Sequence, residues 1–386
     1  MPPPELPSDV VEEILARFPP HEPAHLVRAA LSCKPWHRIV SGAGFRRRLH
    51  GRAPPLLGFF HHHGSHPASF NPTSPSFRPP YAARLGWLIL NARHGRFLVR
   101  KMTTSPFAPP SMEDAELIVW DPTTDEQHRV PMPPFKFSTW SAALVCAAAA
   151  AAGGCDHFDC PKGPFLVVFV LTNDTEKGMI SACVYSSEQG AWSEPTYVHC
   201  QRHGCWHSLR VRGPIVLVKN AVYFGCDRNT SVLEYDLGEQ KLSMIGLPLM
   251  CHWRDVLLMT AEGGGGGGVG FAIVYDRKLY LCSREAGSGG GYDYTWVQQR
   301  VIELDKLLPD RGPRFGVDYH AVAIADDLGV VFIWEDYWSL FTIDLRSNIA
   351  KKVGHVGFAF GIVPYTNFYT TALREAFAGE EARAGA

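Results

Sequence analysis

VLEYDLGEQKLSMI, Val232–Ile245, is the stretch whose reading decides the fold. It is an apolar strand, an acidic turn at Asp236 and a second strand running to a Gly-Leu-Pro exit. Two short runs with such a break between them read as an antiparallel hairpin. The form occurs twice more, as LIVWDPTTDEQHRV (Leu117–Val130) and LFTIDLRSNIAKKV (Leu340–Val353). Asp236 and Asp344 lie 108 residues apart, and Asp121 and Asp236 lie 115 apart. Each interval is close to two repeats of about 50 residues.

Around these hairpins, nearly everything after residue 55 reads as strand. GWLILNARHGRFLVRK turns at His94-Gly95, and the Ile215–Pro248 stretch turns at Lys219-Asn220. FLVVFVLTNDTEKGMISACVYSSEQGAW and GFAIVYDRKLYLCS add further hairpins. A repeat near 50 residues points to four-stranded blades of a kelch-like β-propeller, with six or seven blades in the remaining chain. No double-glycine motif recurs at fixed spacing, so a pair of β-sandwiches or a solenoid stays open as an alternative. Low-complexity stretches, Cys146–Cys155 and Ala261–Gly270 among them, read as expanded loops between strands. The glycine run lacks the lysine and hydroxyl residue of a phosphate loop and precedes a strand.

The first fifty residues have helical periodicity instead. In SDVVEEILARF, Val10, Val11, Ile14, Leu15 and Phe18 recur at helical spacing, and Asp9 with Glu12 has capping-box spacing. Pro19 and Pro20 stop this helix, and Pro23 opens a second, with Leu26, Ala30 and Leu31 on one side. Pro35 opens a third, with Trp36, Ile39 and Val40 apolar, and Phe45 and Leu49 follow. Three or four short helices bury too little surface to be very stable alone.

LPSDVVEEILARFPP (Leu6–Pro20), LVRAALSCKPWHRIV (Leu26–Val40) and GFRRRLH (Gly44–His50) together resemble an F-box. Leu6, Pro7, Ile14, Leu15, Leu26, Arg28, Cys33, Lys34, Trp36 and Phe45 fall where that pattern wants them. PHEPAHLV departs from it, since many members are apolar and basic there. The resemblance implies docking onto a Skp1-like adaptor and, through it, a cullin–RING ubiquitin ligase. It marks Leu6, Pro7, Ile14, Leu15, Leu26, Val27 and Trp36 as the adaptor surface or its support. LLGFF (Leu56–Phe60) and GIVPYTNFYTT (Gly361–Thr371) resemble the propeller-like region of grass F-box proteins, and are candidates for strands that close a ring.

The expected architecture is therefore an α+β multidomain chain. A small N-terminal three-helix F-box (1–50) precedes a mainly β, propeller-like recognition domain (55–373) and a flexible tail (374–386). A formal net charge of −1 gives no bulk field favouring nucleic acid or membrane. Apolar runs such as FLVVFVL are far short of the about 20 residues of a membrane helix. MPPPELPSDV lacks the charged and apolar regions of a signal peptide. The cytoplasm or nucleus is thus the expected location, and the 10 cysteines read as reduced thiols.

GxSxG and CxxC are both absent from the sequence. No catalytic residue and no cofactor is assigned, and the chain reads as a non-catalytic receptor. HCQRHGCWH (His199–His207) and CDHFDC (Cys155–Cys160) could supply zinc through Cys155, Cys160, Cys200 and Cys205. Their four-residue gaps lie at the loose end for structural zinc, so buried or loop thiols are the default reading. Trp140, Trp206, His207, Trp253, Arg254 and Tyr337 are candidates for loops that bind a target protein. The expected role is substrate recognition in an SCF (Skp1–cullin–F-box) ligase. The alternatives are an F-box protein outside any ligase and a metal-binding β-domain enzyme.

Overall fold

The computed structural model describes residues 6–19, 22–51, 54–62, 68–73, 87–101, 116–150, 160, 163–173, 178–199, 215–226, 230–252, 254–261, 267–286, 294–308, 318–335, 339–356 and 360–367. Four short helices come first: α1 (Ser8–Ala16), α2 (Pro23–Ser32), α3 (Lys34–Ser41) and α4 (Ala43–His50). Pro7 holds the N-cap position of α1 and no side chain caps the helix, so the expected Asp9–Glu12 box does not form. Asp9 lies in the first turn instead, where a carboxylate opposes the positive end of the helix dipole.

Each helix contributes one stripe to a shared core. Val11, Leu15 and Ala16 of α1 meet Leu26, Ala29 and Ala30 of α2, Val40 of α3 and Phe45 of α4. Trp36, Phe18 and Ile39 pack against this cluster. Leu31 was expected beside Leu26 and Ala30 but stays outside. One residue is about 100° of helical rotation, which carries it past the buried edge.

The strands that follow are β1 (Leu56–His62), β2 (Ser69–Pro72), β3 (Trp87–Arg93), β4 (Arg96–Lys101), β5 (Glu116–Trp120), β6 (Gln127–Val130), β7 (Thr139–Cys146), β8 (Phe165–Thr172), β9 (Met179–Ser186), β10 (Ala191–Trp192) and β11 (Thr196–His199). After them come β12 (Ile215–Val218), β13 (Ala221–Gly225), β14 (Ser231–Asp236), β15 (Lys241–Gly246), β16 (Val256–Thr260), β17 (Val269–Tyr275), β18 (Lys278–Ala286) and β19 (Tyr294–Glu303). A one-turn helix, α5 (Leu304–Leu307), precedes β20 (Tyr319–Ala325), β21 (Val330–Glu335), β22 (Ser339–Asp344), β23 (Ile349–His355) and β24 (Phe360–Thr366).

They form six antiparallel sheets, each a blade of a propeller. Sequence length allowed six or seven, and the pairing settles on six. The second blade is β3–β6, the third β7–β11, the fourth β12–β15, the fifth β16–β19 and the sixth β20–β23. The first blade closes the ring: β24 lies innermost, with β1 and then β2 outside it. Phe59 pairs with Pro364 and Phe60 with Val363, so LLGFF and IVPYT meet as the sequence indicated. Gly58 sits where the backbones of β1 and β2 crowd. A Cβ there would lie 2.5 Å from the Asn71 carbonyl oxygen and 2.3 Å from the Phe70 ring. Gly58→Ala is therefore expected to lower stability by about 1–3 kcal/mol, read from denaturant unfolding.

The hairpin that revealed the repeat owes its form to one side chain. Asp236 Oδ1 accepts hydrogen bonds from the backbone N–H groups of Gly238 and Glu239, both at 2.8 Å. Asp344 Oδ1 accepts from Arg346 (2.8 Å) and Ser347 (3.0 Å), and Asp121 Oδ1 from Thr123 (2.8 Å). An aspartate that satisfies its own turn in this way favours the turn over further strand. Four residues after each aspartate the backbone turns left-handed, with φ of 51° at Gln240, 56° at Asn348 and 62° at Asp125. The third blade repeats the device with Ser186 and Gly190 (φ 65°).

Antiparallel strands assign every turn to one of two faces. Turns between the first and second strands of a blade, and between its third and fourth, share one face. Turns between second and third strands, and the links between blades, share the other. The six innermost strands enclose a central channel of about 800 Å3.

Candidate functional site

Two surfaces carry side chains that the fold has left available. The first is on the helices. Leu6 is 57 % exposed, Val10 39 % and Ile14 43 %, and their spacing of four residues sets them along one line beside α1. At the end of α2, Leu31 is 71 % exposed. Helix α1 thus has two apolar stripes, one sealed in the core and one open to solvent.

This sorts the residues marked by the sequence. Leu6, Pro7 and Ile14 are on the surface, Leu15 and Leu26 are fully buried, and Val27 and Trp36 are half-buried against the core. Leu15 and Leu26 can support a docking surface but cannot touch a partner without unfolding the helices. Val10 and Leu31 were not marked. Helical periodicity names both stripes of α1 and does not say which one the other helices cover.

The second surface spans the fifth and sixth blades, on the face carrying the links between blades. The Arg254 guanidinium lies 4.2 Å from the centre of the Tyr275 ring. Arg277, in the β17–β18 turn, pairs with Asp305 of α5 at 2.6 Å and faces the Tyr319 ring at 5.6 Å. His320 meets Asp255 at 3.2 Å and the Trp334 ring at 5.5 Å. Asp255 and His320 also line the channel, so this patch borders its mouth. Arginine, tyrosine and tryptophan are the residues that dominate protein–protein binding energies. Their exposed cations over aromatic rings each add about 0.5–1 kcal/mol.

At the opposite end of the channel Asp326 accepts hydrogen bonds from Thr260, 2.8 Å from the backbone nitrogen and 2.5 Å from the hydroxyl. Burial holds its carboxyl above the ordinary range, and the Thr260 bonds oppose that rise.

Of the residues proposed from sequence for target recognition, Arg254 belongs to the patch. Trp140 does not: it is 5 % exposed and stacks on Phe169 at 5.0 Å, with the Arg100 guanidinium 5.7 Å from its ring. Its position on β7, at the junction of two blades, makes it core. Trp206, His207, Trp253 and Tyr337 lie outside the described residues. So do Cys155, Cys200 and Cys205, whereas Cys160 is buried next to Cys146 and His94. The four-cysteine set therefore has one described member, and its neighbours are different residues. Tyr275, Arg277, Tyr319, His320 and Trp334 were not named from sequence. The legible trace was "YDRK", an aromatic and two cations at a tight turn. No helix among the described residues is long and apolar enough to cross a membrane.

The F-box domain family matches residues 4–48, which include all four N-terminal helices up to Arg48. A comparison with curated proteins found no match. The chain carries an F-box domain at residues 4–48, followed by a β-propeller of six blades.

Proposed function

We propose that the protein is the substrate-recognition subunit of an SCF-type ubiquitin ligase. The observation that carries this reading is the exposed stripe of the F-box. Leu6, Val10 and Ile14 stay open to solvent while the neighbouring Val11 and Leu15 are buried. An amphipathic helix that keeps a second apolar line free is suited to a groove on another protein. The partner is a Skp1-type adaptor, which tethers the chain to a cullin–RING ligase. The propeller holds the target, and its fifth and sixth blades offer the Arg254, Tyr275, Arg277 and Trp334 surface for that contact. The chain performs no covalent chemistry. It raises the effective concentration of a target lysine near the ubiquitin-loaded enzyme, as tethering does for any second encounter.

Reconstitution tests this. The chain is co-expressed with a Skp1-type adaptor, and the pair is passed over a sizing column with and without a cullin. Co-migration of all three is expected. Failure to bind the adaptor removes the reading. Binding to adaptor without cullin would make the protein an F-box partner outside a ligase.

A further inference from the structure

We infer that His94, Cys146 and Cys160 form a zinc site joining the second and third blades. Their ligand atoms, one imidazole nitrogen and two thiol sulfurs, all lie within 4.8 Å of one another. A tetrahedral zinc with bonds of about 2.3 Å to sulfur and about 2.0 Å to nitrogen holds such atoms roughly 3.4–3.8 Å apart. Small side-chain rotations close that difference. Two thiolates and an imidazole are a soft set that suits zinc over magnesium or calcium. The ion and its two thiolates sum to zero charge, which is what a buried site tolerates. Water fills the fourth position.

Three separate segments bring the ligands together. His94 opens the β3–β4 turn with left-handed backbone at φ 49°, followed by Gly95 at 78°. A Cβ on Gly95 would lie 2.3 Å from the Asn367 amide, so the turn is packed in place. Cys146 ends β7, and Cys160 lies on the segment leading to β8; both are buried. The frame around them is tied. Arg96 Nη1 donates to the Gly163 carbonyl at 3.0 Å, and Ala147 N–H donates to Pro164 at 3.1 Å. Across the blade junction, Leu144 N–H donates to Asn91 Oδ1 at 2.9 Å.

The test uses the full chain purified under reducing conditions, stripped with a chelator and reloaded with zinc or cobalt. Elemental analysis is expected to return about one zinc per chain. The cobalt form is expected to show a thiolate-to-metal charge-transfer band. Cys146→Ser with Cys160→Ser should lose both the zinc and the band, and His94→Gln should weaken binding at least tenfold. Zinc should raise the melting temperature of the wild type and leave the double variant unmoved. Should the variants fail to fold, alkylation of the wild type serves instead: zinc is expected to protect Cys146 and Cys160 and not Cys33, which is exposed. Zinc retained in a folded double variant overturns the assignment, because the ion then sits elsewhere. A cobalt spectrum without a thiolate band overturns it too, as does a Cys146–Cys160 disulfide found in the reduced preparation.

Discussion

Aspartate at Val10 and Ile14 together is expected to lower adaptor affinity at least a hundredfold while leaving the helices folded. Both side chains are substantially exposed, so the charges stay in water in the free protein. On docking, the apolar contact is lost and two carboxylates must be desolvated. Fully burying one aliphatic side chain is worth about 1.5–3 kcal/mol. The pair here starts partly covered, so about 3 kcal/mol of lost contact and charge penalty is a conservative sum. Every 1.4 kcal/mol is about tenfold in affinity. Leu15→Ala, one residue away, should behave differently, because Leu15 is 1 % exposed. It should melt the helical core, at a cost of about 2–5 kcal/mol. Calorimetric titration with the adaptor and helical melting by circular dichroism separate the two. Unchanged affinity in a folded Val10→Asp, Ile14→Asp protein would mean that the stripe is not the docking surface.

Phe60→Ala is expected to destabilise the propeller by about 3–5 kcal/mol, a large part of the about 5–15 kcal/mol that holds a typical domain together. Phe60 is fully buried where the ring closes. Its ring lies 5.0 Å from Phe70, 4.9 Å from Phe97, 6.1 Å from Trp120 and 6.4 Å from Tyr365. Those four rings come from β2, β4, β5 and β24, so one side chain binds the first blade to itself and to the second. Removing it leaves a cavity where the two ends of the propeller meet. An opened ring also bares strand edges, which pair readily with other chains. Ile349→Ala, on an exposed position of β23, is the control, with an effect within about 0.5 kcal/mol. Denaturant midpoints for the two variants decide the matter. Equal midpoints would show that closure does not rest on the aromatic cluster.

What could be read in the sequence was what short-range chemistry decides. The Asp236, Asp344 and Asp121 turns are settled within five residues, by a carboxylate bonding its own backbone, so the hairpins and their spacing were visible. The LLGFF and IVPYT strands were visible as strands, and the resemblance supplied their pairing. The fourth copy of the turn, at Ser186, was hidden because serine stands where the others have aspartate. Long-range packing was not visible. Trp140 alternates like any strand residue, and only its place between two blades makes it core. Val10 and Ile14 share the helical period of the buried stripe, and three other helices choose between them. His94, Cys146 and Cys160 are spread over 67 positions of sequence and meet only because a turn of one blade touches the strand end of the next.

The pairing of β1 with β24 sets a timetable. A chain emerging from the ribosome presents the F-box helices and β1 first, and β24 only after roughly 300 more residues. At about 5–20 residues per second that interval is about 15–60 s. Throughout it, the helices can fold and expose their apolar line while the ring remains open, with the innermost position of the first blade empty beside β1. On the role proposed above, an interrupted chain would keep its F-box helices and lack a finished propeller, so termination before Phe360 is expected to give fragments that compete for adaptor without delivering a target.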